Sequence, residues 1–297
     1  MTHTGADMFK IGTIGTKGGW SSERLADTLG KINGFKLLID MKELDLDLQT
    51  GSINYQGIDL RELDAIVIKK IGSKYSPDLM DRLEILRYLY KLGIPIFSSP
   101  INIMNVLNRL SCTLNLQKAN IPIPPTVITE DIETAEQSVR KFQEAIFKPL
   151  YTSKARGMAL IKHGPEARDQ ILEFKHDNPI MYIQKKVELC GYDLGLTFLG
   201  GKYLATYARC NNSDSWNTTT ADGGEYTPYE PKAESIEIAH KAQEIFELDF
   251  TTVDLVETDN GPLIFEVSAF GGFRGLLETK GIDAAKLYAE YVLGQIK

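Results

Sequence analysis

Two acidic residues set in apolar surroundings carry the strongest chemical signal in this chain. Residues 251–257 and 262–268 read as strands joined through Asp259-Asn260-Gly261, and Asn-Gly between apolar runs is a hairpin signal. Asp254 lies between Val253 and Leu255, and Glu266 between Phe265 and Val267. Strand alternation turns each acid away from its apolar neighbours, and an unpaired carboxylate buried in such a run would be costly. If the strands pair about the turn, the two carboxylates can lie on one face and share a divalent cation. Two carboxylates on a hard cation usually mean magnesium bound together with a substrate phosphate. Two solvated acids on the open face of a hairpin are an equally weighted alternative.

Other segments offer groups that could meet such a phosphate. Phe147-Lys148-Pro149 ends an apolar strand and opens the loop Leu150-Tyr151-Thr152-Ser153-Lys154-Ala155-Arg156-Gly157. A lysine at a strand end, followed by a small-residue basic loop, suits phosphate binding through ammonium, guanidinium and main-chain N–H groups. The loop lacks the GxxxxGK[ST] pattern, so by itself it reads more plainly as an exposed basic turn. Ile183-Gln184-Lys185-Lys186-Val187-Glu188 ends a strand at a hinge, where main-chain groups can hydrogen-bond a purine edge; strands ending in charge are also commonplace. Arg209 follows the strand 203–208 and can stabilise negative charge developing on phosphate or a tetrahedral centre. A surface arginine beside the polar loop that carries Asn217 fits the same residues. Ser268-Ala269-Phe270-Gly271-Gly272-Phe273-Arg274-Gly275 follows the acidic strand, and its glycines allow close backbone approach with Arg274 at the mouth. A flexible connector is the alternative.

The elements that must position these groups fall into three stretches. Residues 9–97 alternate strand and helix: strands at 9–14, 36–39, 65–68 and 94–97, helices at 21–32 and 77–92. That order implies a parallel, helix-covered α/β sheet. A helix over 103–119 leads into Ile121-Pro122-Ile123-Pro124-Pro125, a stiff connector. Residues 126–187 form a compact α+β unit with helices at 133–142 and 165–175 and a last strand at 181–187. Two antiparallel strands over 192–208 turn at Gly200-Gly201, a helix spans 232–246, and a closing helix follows the hairpin at 282–293. The domains expected are 9–98, 99–187 and 188–297.

Composition narrows the classes. With 297 residues, 43% hydrophobic and 25% charged, the chain has the make-up of a globular protein of two or three units. Its 33 basic and 40 acidic residues give a net charge of −7, which argues against non-specific nucleic-acid binding. Cys112, Cys190 and Cys210 show no paired spacing and suggest reduced thiols. The four histidines have no zinc-ligand spacing. No apolar run approaches the roughly 20 residues a membrane span needs, and no secretory signal opens the sequence. A cytoplasmic protein without membrane or nucleic-acid partners is expected.

The order of these motifs resembles the ATP-grasp superfamily, and within it the RimK-like carboxylate–amine ligases, including those that add glutamate to proteins or cofactors. The likeness runs from about Pro95 to Ile296. KPLYTSKARG is similar to the phosphate-loop pattern KPLxGSxGRG, and FEVSAFGGFRGLLETKGID to the terminal pattern xEVNxSPGFxGxExxTGID. The resemblance implies an N-terminal βα domain followed by two α+β subdomains enclosing the nucleotide. It implies that Lys148, with Ser153, Lys154, Arg156 and Gly157 of its loop, binds ATP phosphates. Gln184, Lys185, Lys186 and Val187 would line the adenine side, and Asp193 and Asn217 would lie near the nucleotide. Asp254, Glu266 and Ser268 would hold magnesium, as two ions that manganese can replace. Arg209 and Arg274 would be catalytic. Amide formation between small-molecule or peptide carboxylates and amines would follow, in a homo-oligomer.

Departures from the family pattern bear on the chemistry. Ser268 stands where the third metal ligand is usually asparagine, Thr152 and Ala155 stand where glycines are typical, and Lys185 replaces a common glutamate. Asp193-Leu194-Gly195 replaces Asp-Ile-Arg, and the segment 216–224 lacks the arginines usual there. The missing arginines imply a less anionic acceptor. Two rival activities remain: a small-molecule kinase on the same fold, and a nucleotide-binding regulator with little turnover.

Overall fold

The computed structural model describes residues 8–152, 155–189, 191–210 and 224–296. The chain opens with β1 (Ile11–Gly15), α1 (Trp20–Asn33), β2 (Leu38–Asp40), β3 (Asp45–Asp47), β4 (Ser52–Tyr55), β5 (Ile58–Asp59), β6 (Ala65–Ile68), α2 (Asp78–Lys91) and β7 (Ile96–Phe97). Four of these strands form the expected parallel sheet, in the order β2-β1-β6-β7. Every residue of β1 and β6 is buried, which is why they read as unbroken apolar runs. Helix α1 closes on Gly34 at φ 83°, whose N–H donates to the Gly30 carbonyl, a left-handed cap that suits glycine. Strands β3, β4 and β5 make a small antiparallel sheet that the sequence does not announce, because segments this short carry too few alternations.

The single helix expected over 103–119 is two helices, α3 (Pro100–Leu107) and α4 (Arg109–Lys118). Asn108 makes the break: it is extended, and its side-chain oxygen accepts from the N–H groups of Leu110 and Ser111. Asparagine competes for backbone donors inside a helix and caps one well. The cap makes Arg109 the first residue of α4.

Next come β8 (Thr126–Thr129), α5 (Ile132–Phe142), β9 (Glu144–Lys148), β10 (Ala159–Lys162), α6 (Ala167–Asp177) and β11 (Met181–Lys185). Their antiparallel sheet runs β10-β9-β11-β8 around a core of Val139, Phe147, Ile171 and Ile183. β11 stops short of the expected residue 187. Its partner β8 begins at Thr126, and Pro125 before it has no N–H to extend the ladder.

The remaining elements are β12 (Tyr192–Leu199), β13 (Lys202–Cys210), β14 (Glu225–Pro228), α7 (Ala233–Glu244), β15 (Phe250–Thr258), β16 (Gly261–Ser268), α8 (Arg274–Lys280) and α9 (Ala284–Gln295). An antiparallel sheet runs β14-β13-β12-β15-β16, with the expected turn at Gly200 and Gly201. Strand β14 and helix α8 are additions to the elements the sequence suggests. The first and last sheets share a core in which Ile11, Leu25 and Val67 pack with Phe250, Phe273 and Tyr288. That core brings the loop after β6 against the turn after β16.

Candidate active site

β15 and β16 pair with Asp254 directly opposite Glu266, so the two carboxylates stand on one face. The register slips immediately beyond them: Leu255 pairs with Ile264, leaving Phe265 as a bulged residue beside Glu266. Such bulges re-aim neighbouring side chains. The same face continues with Gly195 opposite Asp254 and Tyr207 opposite Gly195, and one step along with Asp193 opposite Arg209. A Cβ at Gly195 would come 2.6 Å from the Tyr207 ring, so glycine lets the ring lie flat over the strand.

One guanidinium spans two of the acids. Arg209 Nε donates to Asp193 Oδ1 at 3.0 Å, and its Nη2 lies 3.1 Å from Asp254 Oδ1. Burial works against the Arg209 charge, yet Asp193 and Asp254 outweigh it and hold its pKa well above the ordinary value. Burial pushes the Asp254 carboxyl up to about 7, against the pull of Arg209 and with the push of Asp193 and Glu266. A divalent cation reverses such a shift by favouring the ionised form, so this pair of acids fits magnesium. Ser268 lies two residues along β16 from Glu266 and pairs with Thr252, which puts its hydroxyl on the face that carries both acids.

Lys148, at the end of β9, approaches this face from the other sheet. It is buried; its Nζ donates to Gln184 Oε1 at 2.5 Å and lies 5.4 Å from the centre of the Phe265 ring. Burial holds its ammonium down to about 7, helped by the Arg109 charge and opposed by Glu266. Arg109 is the residue that sequence reasoning missed. Its Nε donates to the Pro149 carbonyl at 3.2 Å, its Nη1 to Glu266 at 3.2 Å and its Nη2 to the Thr152 carbonyl at 3.4 Å. One side chain therefore ties the loop after Lys148 to a metal-candidate carboxylate. The available signal was Asn108, a capping residue inside an apparent helix. Tyr75, from the loop after β6, packs edge-on against Phe270 at 6.5 Å.

The other sequence candidates divide. At the hinge, the N–H groups of Lys185 and Lys186 donate to the carbonyls of Pro125 and Glu144, at 2.8 and 3.0 Å. The Lys186 ammonium pairs with Glu144 at 2.8 Å and Glu188 at 3.1 Å. Val187 follows them. Ala155 takes a positive φ of 53° and Gly157 one of 68°, so an alanine occupies a left-handed position that glycine accepts more easily. Arg156 is exposed. Ser153, Lys154 and Asn217 lie outside the described residues. Among the described residues, the contacts of Arg274 are with Trp20, 5.2 Å from its guanidinium, and Glu278, at 3.7 Å, rather than with Asp254 or Glu266.

Residues 107–292 match the family model of the RimK-like ATP-grasp domain, more than half of the chain. The chain belongs to that family and has the ATP-grasp fold. It is similar to the tetrahydromethanopterin:alpha-L-glutamate ligase of Methanosarcina acetivorans, 26% identical over 307 residues that cover 92% of this chain and 95% of the relative. It is also similar to the ribosomal protein bS6–L-glutamate ligase of Salmonella paratyphi B, 24% identical over 252 residues covering 84% and 83%. The solved structure of the ATP-grasp ligase PsnB complexed with a phosphomimetic variant of its minimal precursor, Mg and ADP matches with a TM-score of 0.75 at 15% identity, covering 98% of this chain and 99% of that one. These relatives are ligases, so the ATP-dependent carboxylate–amine ligase class stands and the kinase alternative is not favoured. Among the described residues no helix is long and apolar enough to cross a membrane.

Proposed function

We propose that this chain uses ATP and magnesium to activate a carboxylate of a peptide or small molecule and join it to an amine. The observation that carries the proposal is that Arg109 and Lys148, from separate elements, reach the strand pair on which Asp254 and Glu266 stand opposite each other. A carboxylate oxygen attacks the γ-phosphorus, the bond to the β–γ bridging oxygen breaks, and ADP leaves. The amine nitrogen then attacks the acyl carbon of the acyl-phosphate; phosphate departs, the nitrogen loses a proton, and the amide remains. The protein's share is positioning and charge neutralisation.

Lys148 and Arg109 grip phosphate oxygens, with Ser153, Lys154, Arg156 and Gly157 in the covering loop. Arg209, backed by Asp193, neutralises charge on the transferred phosphoryl group, and Arg274 approaches the acceptor. Adenine meets the hinge through the carbonyls of Lys185 and Lys186 and the N–H of Val187, with Gln184 behind them and Asn217 towards the sugar. Asp254, Glu266 and Ser268 would hold magnesium, as two ions replaceable by manganese; bound there, the metal offsets charge on the phosphate oxygens. The domains run 9–98, 99–187 and 188–297 in a cytoplasmic homo-oligomer. The amine follows the relatives' names, glutamate first, and the arginine-poor segment 216–224 favours a less anionic acceptor.

The test incubates the purified chain with ATP, magnesium, a panel of amino acids and a panel of carboxylates, and follows ADP, phosphate and product mass. Amide plus free phosphate supports the proposal. A phosphoester would make it a kinase, and nucleotide binding without turnover across the panels would make it a regulator. Lys148→Met should weaken nucleotide binding and Asp254→Asn metal binding; wild-type turnover in both variants would refute the site.

A further inference from the structure

Lys69 stands outside the cleft and has no part in the chemistry described so far. It follows β6 directly, at the inner edge of the parallel sheet, and is 3% exposed. Among the described residues it has no carboxylate partner. Its Nζ donates instead to the carbonyl of Gly271 at 2.5 Å, and lies 4.2 Å from the centre of the Phe273 ring and 5.9 Å from that of Phe250. Burial, with the nearby charge of Lys70, lowers its ammonium to about 7. Lysine is an expensive way to fill such a site, because an apolar side chain of equal length would carry no desolvation penalty.

The location of the acceptor gives the expense a purpose. Gly271 belongs to the turn that leaves β16, three residues after Ser268 and five after Glu266. With Gly272 beside it, this turn has little torsional stiffness of its own. It is pressed close to β15: a Cβ at Gly271 would come 2.8 Å from both Phe250 and Thr252 Oγ1. Thr251 Oγ1 holds the Ser268 carbonyl at 2.7 Å, and Tyr75, from the segment that begins with Lys69, lies against Phe270. The strand end is thus fixed from β15 on one side and from the loop after β6 on the other.

We propose that Lys69 is a positioning residue for the metal site: by anchoring the Gly271 carbonyl it sets the exit of β16 so that Glu266 and Ser268 converge with Asp254. It acts through the backbone and touches neither nucleotide nor metal. The inference rests on the ligase reading for the identity of the metal ligands. Groups that orient metal ligands from behind typically change metal affinity about 10- to 100-fold when removed, and that is the loss expected for Lys69→Met.

The experiment titrates Mn2+ by electron paramagnetic resonance into the full chain saturated with a non-hydrolysable ATP analogue, alongside the thermal midpoint of each variant. Wild type should bind Mn2+. Lys69→Met should bind it about 10- to 100-fold more weakly with an unchanged or higher midpoint, since a buried charge has been removed. Lys69→Arg, whose guanidinium can both donate and stack on the rings, should restore binding. Lys69→Gln, which keeps an N–H donor without the charge, should fall between and serves if the Met variant fails to fold. Wild-type Mn2+ affinity in Lys69→Met, or in Lys69→Gln if that variant stands in, overturns the inference while leaving the site intact. A lowered midpoint with unchanged affinity overturns it too, in favour of packing alone. If the wild-type chain binds no Mn2+, the site assignment itself falls, and this inference with it.

Discussion

Replacing Arg109 by Met should loosen the cleft from both sides at once. Its three nitrogens serve three acceptors in three directions: Pro149 at 3.2 Å, Glu266 at 3.2 Å and Thr152 at 3.4 Å. The Glu266 side chain is 38% exposed, so the ion pair is screened and contributes about 1 kcal/mol rather than a buried-pair value. The shorter carbonyl bond adds about 1 kcal/mol and the longer about half that. The total of roughly 2–3 kcal/mol is about 30- to 150-fold in a local opening equilibrium. Arg109→Lys keeps a charge for Glu266, but one ammonium cannot reproduce a fork with three fixed directions, and it should lose about half as much. Amide hydrogen exchange over residues 150–152 and 265–268 measures this directly. Protection should fall in both segments, more for Met than for Lys. Unchanged protection in the Met variant, or a loss confined to one segment, would show that Arg109 does not tie the loop to the strand.

Three further outcomes follow from the same geometry. The Lys148 ammonium is held near 7 in the fold against about 10.4 in an unfolded chain. Its burial penalty is therefore full below pH 7, shrinks as pH rises between the two values, and is gone above the upper one. Lys148→Met should gain stability over wild type at pH 6, by up to about 4 kcal/mol less the lost Gln184 hydrogen bond, and that advantage should vanish near pH 10.5; urea midpoints at the two pH values check it, and a pH-independent difference contradicts it. Glu144 pairs with Lys162 at 2.7 Å and Lys186 at 2.8 Å, and these contacts hold its carboxyl down to about 2. Its contribution should be complete above about pH 4.3 and lost as pH falls through 2, so Glu144→Gln should narrow the acid stability range of wild type, read by circular dichroism between pH 2 and pH 6. Gly195→Ala would drive a methyl into the Tyr207 ring, itself backed by Gly275, and should cost about 1–3 kcal/mol, measured by denaturant midpoint; a neutral result would mean that the ring moves freely.

The parts of the site that could be read from sequence are those whose geometry is local. Asp254 and Glu266 are 12 residues apart on strands joined by a short turn, so their pairing is local. The regular ladder that sets Leu255 against Ile264 would nevertheless put Asp254 opposite Phe265; the bulge at Phe265, which alternation does not reveal, brings Glu266 onto the same face. Lys148 was legible because it ends its own strand. Arg109 was not: the contact that gives it meaning joins residues 157 positions apart, and its direction depends on a helix break at Asn108 that the apolar run conceals. Lys69 meets a carbonyl 202 positions away, and its sequence context is only a strand ending in two lysines. Periodicity likewise found the long helices and the covered parallel sheet but overlooked β3, β4, β5 and β14, whose few residues carry no period. Local chemistry is written in neighbouring residues; the couplings between elements are written by the shared core.

The charge balance of the cleft adds a constraint that no single residue supplies. Lys148, Arg109 and Arg209 bring three positive charges, and Asp193, Asp254 and Glu266 bring three negative ones. These six groups offset one another, so beyond Lys154 and Arg156 of the covering loop the positive charge for a fully ionised triphosphate must come from the metal. Near neutrality Lys148 and Asp254 each lose part of their charge, because burial moves both to about 7, and the balance is kept. Such a cleft should discriminate against free ATP and accept its metal complex, since the ions bring the charge that the side chains have already spent on one another. The balance also makes Arg209 a poor candidate for simple removal: Arg209→Met leaves Asp193 and Asp254 facing each other, and Asp254, already pushed up by burial, would take a proton instead of a metal. The loss of metal affinity in that variant should then be recovered by raising the pH, whereas the loss in Asp254→Asn should not be.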